Sequence, residues 1–307
     1  MKKIRRFHAE IKELSQVRPW RSLIHILIEW LAIMTIAWVS EQMHNIFFYF
    51  LASILIGARF HALAVLGHDG NHNLLFSQPW LNRIVVMNLL LWPNAASASE
   101  FKAEHLLHHK YLSTDRDPDF YRISKYPEFQ FPMSRMNFFS ILLRDALGLN
   151  FFKYFSKSRQ FRVLRLQPSS RKRSFKIFYA IASYFLILLV AYSFGYLRIA
   201  ILYWLIPYMT WNQLIFRVRT IAEHSVVKQN RSYGTNTVIA GPIEELIFGL
   251  KNANYHIEHH LYPSVPWFNL GKLHGLLMSS KEHRDSISVY PSYLAVLRQC
   301  VRRSEIT

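Results

Sequence analysis

Two long uncharged runs lie in the second half of the chain, at residues 177–194 and 199–216. Each has 18 residues, and as a helix each would rise about 27 Å, close to the thickness of the hydrocarbon core of a bilayer. Only Arg198 marks the short turn between them. The two runs therefore predict a hairpin of two membrane-spanning helices, the second of them bent at Pro207.

Two further apolar runs, at about residues 23–39 and 42–58, predict a hairpin in the first half of the chain. The first run is interrupted by His25 and Glu29, which have the i, i+4 spacing of one helix face. An ionisable pair inside a membrane is a candidate functional site, and the alternative is a pair that faces protein and only packs. Beyond the second run, Arg59 is expected at the membrane interface.

The charge balance supports a membrane protein and gives its orientation. Lys and Arg outnumber Asp and Glu 37 to 19, yet 51% of the residues are hydrophobic. A nucleic-acid binder would not carry such apolar runs. Residues 151–176 hold nine Lys or Arg and no acid, which marks a cytoplasmic segment. The basic residues 1–6 precede a long apolar run, which predicts an anchor and not a cleaved signal peptide.

These observations predict an all-α multi-pass membrane protein with four transmembrane helices in two hairpins. Counting the crossings places the N-terminus, residues 59–176 and residues 217–307 in the cytoplasm. We expect the last two segments to form a helical cap, and the whole chain 1–307 to be one domain. The single Cys300 excludes an internal disulfide and any cysteine-based metal site.

Histidines are concentrated in the two cap segments. Three clusters occur, at residues 68–72, 105–109 and 256–260, with spacings that place imidazoles on one face of a helix. His224 is a further histidine on the same side. Imidazole is a ligand for iron, copper, nickel and zinc. The sequence therefore predicts metal ligands at His68, His72, His105, His108, His109, His224, His256, His259 and His260.

The number of histidines bears on the metal. Nine neutral imidazoles shared by two ions give four or five ligands each, which leaves an open position on a six-coordinate ion. Catalytic zinc takes three protein ligands and structural zinc four, so the count favours two irons that bind dioxygen over two zincs. Imidazole alone does not discriminate between these metals.

Four acids lie beside the histidines, namely Asp69, Glu104, Glu223 and Glu258. Carboxylates next to metal ligands commonly accept the other ring N–H and fix the tautomer. The alternative is that each is a solvated charge on a helix face.

Three other features of the cap segments are less specific. Arg217 and Arg219 are expected to pair with an acid or a bound anion, or to be ordinary positive-inside residues. His61 lies seven residues before the first cluster and is a weak ligand candidate. Residues 84–99 are apolar but short and broken by Pro93. A crossing there would separate the first two clusters, so we expect an interfacial or re-entrant segment.

The three clusters together resemble the histidine boxes of the membrane fatty acid desaturase superfamily. Residues 68–72 match H-x3-H, and residues 105–109 and 256–260 match H-x2-H-H. Residues 117–119 (Asp-Pro-Asp) and 261–263 (Leu-Tyr-Pro) follow the second and third boxes. The resemblance implies a non-haem di-iron centre that activates dioxygen to attack an unactivated C–H bond of a lipid chain. It also implies that a ninth histidine outside the boxes, here His224, binds metal.

The chain departs from the superfamily pattern in three places. Some members carry an Asn four residues before the ninth histidine, where this chain has Thr220. The third box opens with His256 and not with the Gln of front-end desaturases. The chain contains no His-Pro-Gly-Gly segment of a fused cytochrome b5 domain. We therefore expect a separate electron donor, a ferredoxin or a cytochrome b5.

The leading hypothesis is an oxygen-dependent desaturase of fatty-acyl lipids. The alternative is a di-iron hydroxylase or ketolase of lipids or carotenoids. Residues 261–266 and 270–274 favour the desaturase by resemblance. A remote alternative is a membrane metal transporter or sensor, which would carry ionisable residues inside its spans. The two C-terminal runs contain none. The compact chain favours a bacterial inner membrane over the endoplasmic reticulum.

Overall fold

The computed structural model describes residues 2–91, 98–151, 182, 184–226 and 233–302, and these residues are mostly helical. In chain order the helices are α1 (Lys2–Leu14), α2 (Pro19–Met43), α3 (Ile46–Asn71), α4 (Pro79–Val85), α5 (Ala98–Tyr111), α6 (Pro118–Lys125), α7 (Arg135–Ala146), α8 (Tyr184–Ser193), α9 (Leu197–Ser225), α10 (Pro242–Ile247), α11 (His256–Leu261), α12 (Leu270–Met278), α13 (Lys281–Ser286) and α14 (Tyr293–Gln299). A wider helical turn, Val86–Leu90, continues α4. Single 3₁₀ turns occur at Pro127–Phe129, Leu250–Asn252 and Trp267–Asn269.

Within the described part of the chain, three helices are long and apolar enough to cross a membrane: α2, α3 and α9. The predicted runs 23–39 and 199–216 lie inside α2 and α9, and most of the run 42–58 lies in α3. Of the fourth predicted span, 177–194, the part before Tyr184 lies outside the described residues except for residue 182. The part from Tyr184 to Ser193 forms the short apolar helix α8.

The turn between α2 and α3 consists of His44 and Asn45 and lies later than the gap between the predicted runs 23–39 and 42–58. Helix α2 continues to Met43, and His44 ends it with a left-handed backbone (φ 46°). Asn45 then starts α3, since its side-chain oxygen accepts a hydrogen bond of 2.8 Å from the backbone N–H of Phe47. The predicted gap lies too early because the polar residues Ser40, Glu41 and Gln42 belong to the last turn of α2.

Helix α3 is the central helix of the structure. In its most apolar stretch 67% of the residues are buried, against 22% in α2 and in α9. Gly57 allows α9 to approach closely, because a Cβ atom there would lie 2.6 Å from Cβ of Trp211. Helix α3 continues past Arg59 to Asn71 without a break. One continuous helix therefore connects the apolar stretch to the first histidine cluster.

Helix α9 is irregular at three points, the first of them a wider helical turn at Ile201–Leu205. The backbone breaks its helical pattern at Thr210 (φ −111°, ψ −89°), three residues after Pro207, so the expected bend occurs slightly later than predicted. A wider helical turn closes the helix at Ile221–Ser225. Such turns add a residue and re-aim side chains, often at functional sites. This turn carries Glu223 and His224.

The His25–Glu29 pair faces the protein and belongs to a buried ionic network. Glu29 is 1% exposed, and its carboxylate lies 2.6 Å from Nζ of Lys251 and 3.4 Å from the guanidinium of Arg59. Nζ of Lys251 also lies 3.0 Å from Nδ1 of His25. Lys251 and Asn252 have left-handed backbones, a conformation that costs energy outside glycine. The network therefore holds a strained turn of the cap against α2 and α3.

The cap contains the only strands among the described residues, β1 (Thr237–Val238) and β2 (Val289–Tyr290), which pair in parallel. The all-α expectation did not include them, because two-residue strands leave no periodic signal in a sequence. Strand β1 lies against α11, the helix of the third cluster.

We predict that Glu29→Gln destabilises the protein by about 3 kcal/mol or more, because it leaves Lys251 and Arg59 as buried cations without a compensating charge. The matched control is Glu41→Gln, which weakens an ion pair to Arg198, whose side chain is 65% exposed. That substitution should cost about 1 kcal/mol or less. Thermal unfolding of both variants in detergent measures the difference, and equal losses would contradict the prediction.

Candidate metal centre

All nine predicted histidines converge in the cap, in two groups. The nitrogen atoms within each group lie no more than 4.8 Å from one another. Group A consists of His68, His72, His105, His109 and His259, and group B consists of His108, His224, His256 and His260. The groups are adjacent, since the ring centroids of His109 and His260 lie 4.3 Å apart.

Helices α5 and α11 each contribute to both groups. In α5, His105 and His109 are one helical turn apart and enter group A, while His108 enters group B. In α11, His256 and His260 are one helical turn apart and enter group B, while His259 enters group A. The first cluster, at the end of α3, supplies only group A, and His224 completes group B. Two helices, α5 and α11, therefore contribute histidines to both groups.

The spacing of the ring nitrogens fits metal ions. Nε2 of His105 lies 2.8 Å from Nε2 of His72 and 2.9 Å from Nε2 of His109. In group B, Nε2 of His256 lies 2.9 Å from Nε2 of His224 and 3.1 Å from Nε2 of His260. With metal–nitrogen bonds of about 2.1 Å, neighbouring donors are about 3.0 Å apart around an octahedral ion and about 3.4 Å apart around a tetrahedral ion. These four distances are compatible with donors that share one ion, and all ligand nitrogens of a group lie within 4.8 Å of one another.

The ring of His68 has a buried nitrogen that needs a partner. Nε2 of His68 is buried and has no hydrogen-bond partner among the described residues. A buried polar atom without a partner costs free energy. Where Nε2 atoms face each other at hydrogen-bond distance, only one of the two can carry the proton. A cation at the centre of each group would satisfy every facing lone pair.

Burial keeps most of these imidazoles neutral, which is the form that binds metal. Burial lowers the pKa of His72 to about 4, helped by Lys102. It lowers the pKa of His109 to about 3, helped by neighbouring histidines. Burial and neighbouring histidines also hold the pKa far below its usual range at His105, His256, His259 and His260.

His108 is the exception. Its partner is Asp117, which is not one of the four acids predicted beside the histidines. Burial lowers the pKa of His108, but a hydrogen bond to Asp117 and nearby carboxylates outweigh that effect and raise it. Nδ1 of His108 lies 2.8 Å from Oδ1 of Asp117, which is itself buried. The bond fixes the proton on Nδ1 and leaves Nε2 to bind metal. The only sequence signal was the Asp-Pro-Asp segment after the second box.

Two of the predicted supporting acids occupy defined positions near the clusters. Asp69 is buried and accepts a 2.8 Å hydrogen bond from the backbone N–H of Trp267, while its other oxygen lies 3.6 Å from Nδ1 of His68. Glu258 is fully buried and accepts hydrogen bonds from Thr237 (2.5 Å) and from Nδ1 of His274 (2.7 Å). Glu258 therefore anchors α11 to β1 and α12.

Glu223 lies nearest to group B among the four acids. Its carboxylate pairs with Arg219, and its other oxygen lies 3.8 Å from Nε2 of His256. Arg219 also donates a 2.5 Å hydrogen bond to Nε2 of His61. His61 belongs to neither group, so the structure places it outside the centre. Glu104, the fourth acid, is half-buried on α5.

Arg217 and Thr220 also occupy defined positions, whereas the predicted interfacial segment 84–99 lies partly outside the described residues. Arg217 pairs with the buried Asp145 of α7, so both arginines pair with acids, as one alternative expected. The hydroxyl of Thr220 donates a 2.9 Å hydrogen bond to the carbonyl of Phe216 in its own helix. It therefore does not take the place of the asparagine found in some desaturases.

Apolar helices of spanning length and a double histidine group at their ends define a membrane protein with a candidate metal centre. The sequence model of the family described as fatty acid desaturase matches residues 44–290. The match includes all nine histidines. The chain belongs to the fatty acid desaturase family, which makes it an oxidoreductase by family.

Two characterised relatives are also desaturases by name. The chain is 28% identical over 286 residues to the dihydrorhizobitoxine desaturase of Bradyrhizobium elkanii, a match that covers 89% of this chain and 80% of the relative. It is 26% identical over 315 residues to the sphingolipid delta(4)-desaturase of Schizosaccharomyces pombe, covering 97% of this chain and 80% of the relative. The names of these two relatives indicate different substrates.

We predict that the metal-free protein loses stability as the pH falls below about 6.5. Imidazoles with a lowered folded-state pKa, such as that of His72 at about 4, bind protons first in the unfolded chain, so acid favours unfolding. His108, with a raised pKa, opposes this trend. In chelator-treated protein, His72→Asn should reduce the pH slope of the unfolding free energy by up to about 1.4 kcal/mol per pH unit. A stability independent of pH between 7 and 5 would contradict the prediction.

We predict that Asp117→Asn weakens metal binding about tenfold or more, because His108 loses the carboxylate that orients its ring. The matched control is Asp119→Asn. Its carboxylate lies 3.8 Å from Nδ1 of His108 and its side chain is 36% exposed, so it should have little effect. Metal content after dialysis against graded chelator measures both variants, and equal retention by Asp117→Asn and the parent protein would refute this role.

Proposed function

We propose that this protein is an oxygen-dependent desaturase of fatty-acyl lipids with a di-iron centre. The observation that carries the proposal is the pair of histidine groups at the ends of apolar helices in a member of the fatty acid desaturase family. The five imidazoles of group A and the four of group B would each hold one iron. Nine ligands for two ions exceed the three or four protein ligands that zinc takes, and they leave positions open on two six-coordinate ions, which supports iron.

The bound irons would supply the activation of dioxygen against an unactivated C–H bond. The protein's own residues have three tasks at the centre. Burial keeps the imidazoles neutral and able to bind metal. Asp117 holds the proton of His108 on Nδ1. Arg219 compensates the charge of Glu223 beside group B, so that a carboxylate can remain next to His256 in a buried site.

The arrangement of the helices supports four crossings and a cytoplasmic cap. Arg198, at the start of α9, pairs with Glu41 at the end of α2, so α9 starts on the side of the membrane opposite the histidines. Helix α7 lies against the later part of α9, since Asp145 pairs with Arg217. These contacts set residues 151 and 197 at different levels of the protein, which supports the predicted span 177–194. The ring of Tyr184 lies 5.6 Å from that of Trp204, which fits a hairpin.

The two groups draw on α3, α5, α9 and α11, so the proposed unit of folding is the single domain 1–307. The basic residues 151–176 support a cytoplasmic position of the cap. Desaturation removes two hydrogens from neighbouring carbons, and reduction of dioxygen to two waters requires two further electrons and two protons. We propose that a separate ferredoxin or cytochrome b5 supplies these electrons. Of the two relatives, the sphingolipid delta(4)-desaturase supports a lipid substrate by its name.

We predict that cells expressing the chain with an electron donor accumulate lipids lighter by two hydrogens than those of control cells. Mass spectrometry of intact lipids measures the change, and the position of the double bond gives the regiochemistry. His256→Ala should abolish the products, because it removes a group B nitrogen. The matched control His8→Ala changes an exposed histidine of α1 and should retain activity. Products heavier by one oxygen would instead show a hydroxylase, and unchanged lipids with metal-loaded protein would contradict the proposal.

A further inference from the structure

Helix α7 exposes an apolar face although it lies outside the predicted spans. Met136, Phe139, Leu143 and Leu147 recur at the spacing of one helix face and are between 44% and 81% exposed. Ser140 is the polar residue within that face. The opposite face, with Phe138 and Leu142, packs into the cap. The outward face of α7 is therefore as apolar as the inward face.

A second short helix shows the same feature. Ile243 and Leu246 of α10 are 76% and 47% exposed and lie one helical turn apart. Helix α10 contacts α3, where the guanidinium of Arg59 donates a 3.0 Å hydrogen bond to the carbonyl of Leu246. We call the exposed apolar side chains of α7 and α10 the rim. Its members are Met136, Phe139, Leu143, Leu147, Ile243 and Leu246.

The depth of α7 follows from its contacts with α9. A Cβ atom on Gly148, just after α7, would lie 3.3 Å from the carbonyl oxygen of Met209, and the ring of Phe151 lies 5.4 Å from that of Tyr208. Met209 is twelve residues after Leu197, the far end of α9, and so about 18 Å above it. This height is within the roughly 30 Å of the hydrocarbon core.

The depth of α10 follows independently from α3. Arg59 is thirteen residues after Ile46, the far end of α3, and so about 20 Å above it. The far ends of both helices meet at one cavity of about 280 Å³, whose lining includes the charged side chains of Glu41 and Arg198 beside apolar ones such as Leu202. Such charged side chains mark the far surface of the bilayer. Helix α10 therefore reaches the same depth as the end of α7.

We propose that the rim is embedded in the acyl region of the leaflet next to the metal centre, so that α7 and α10 are interfacial helices. Two segments distant in sequence present exposed apolar side chains at the same depth. Charge complementarity supports a lipid partner. Arg135 and Arg144 flank the face of α7 on its exposed side, and residues 151–176 are basic without an acid, which suits anionic head groups.

The test is nitroxide labelling of single introduced cysteines, since the native Cys300 is fully buried. Leu143→Cys and Ile243→Cys report the two halves of the rim. The matched control Asn137→Cys lies on an exposed polar flank of α7. Each labelled protein is reconstituted in vesicles of phosphatidylethanolamine and phosphatidylglycerol. Paramagnetic resonance then measures collision with oxygen, which concentrates in lipid, and with a polar nickel chelate.

We expect the ratio of oxygen to nickel collisions to be several-fold higher at both rim positions than at Asn137→Cys. Equal nickel access at rim and control positions would place the rim in water and overturn the proposal. Protection from both reagents would show that protein covers the rim, either a second copy or another segment of this chain, and would also overturn it. Unchanged elution on gel filtration verifies folding, and the two rim variants test the proposal independently. The result does not depend on the proposed reaction.

Discussion

Nine imidazoles lie ring against ring in a largely buried site, and apart from His108, whose proton Asp117 stabilises, none takes up a proton easily. This constraint governs the rest of the cap. Each ring must remain neutral, its lone pair must find a partner, and the segments that carry the rings must resist separation. Burial meets the first requirement, and under the proposed assignment a metal ion in each group would meet the second. The third depends on how the helices are anchored.

Anchoring begins in the membrane. Helix α3 continues without a break from its apolar stretch to the first cluster, so His68 and His72 are held at the end of a membrane-spanning helix. The ionic network of Glu29, Lys251 and Arg59 ties the turn before the third cluster to the same helix and to α2. Within the cap, Glu258 fixes α11 to β1 and α12. Charged pairs that are costly to bury therefore lie where segments of the centre meet.

Local spacing was sufficient to predict which histidines meet. The i, i+3 and i, i+4 offsets place the members of each cluster on one helix face, and the orientation of the apolar runs brings the clusters to one side. Local spacing could not assign the histidines to groups A and B, because that division depends on how α5 and α11 are placed relative to each other. It also could not show that Asp117 supports His108, since nine residues separate them with a loop between. The bend of α9 and the length of its last turn depend on packing against α3.

The division of histidines between the groups has a consequence for assembly. Under the proposed ligand assignment, α5 and α11 each bind both ions, so the first ion to enter orders side chains that the second requires. Most of the conformational entropy of these helices is then lost when the first ion binds. Loading should be cooperative, and molecules with a single ion should be scarce at partial saturation. A mixture of empty and fully loaded protein, with little in between, is the state that this shared arrangement favours.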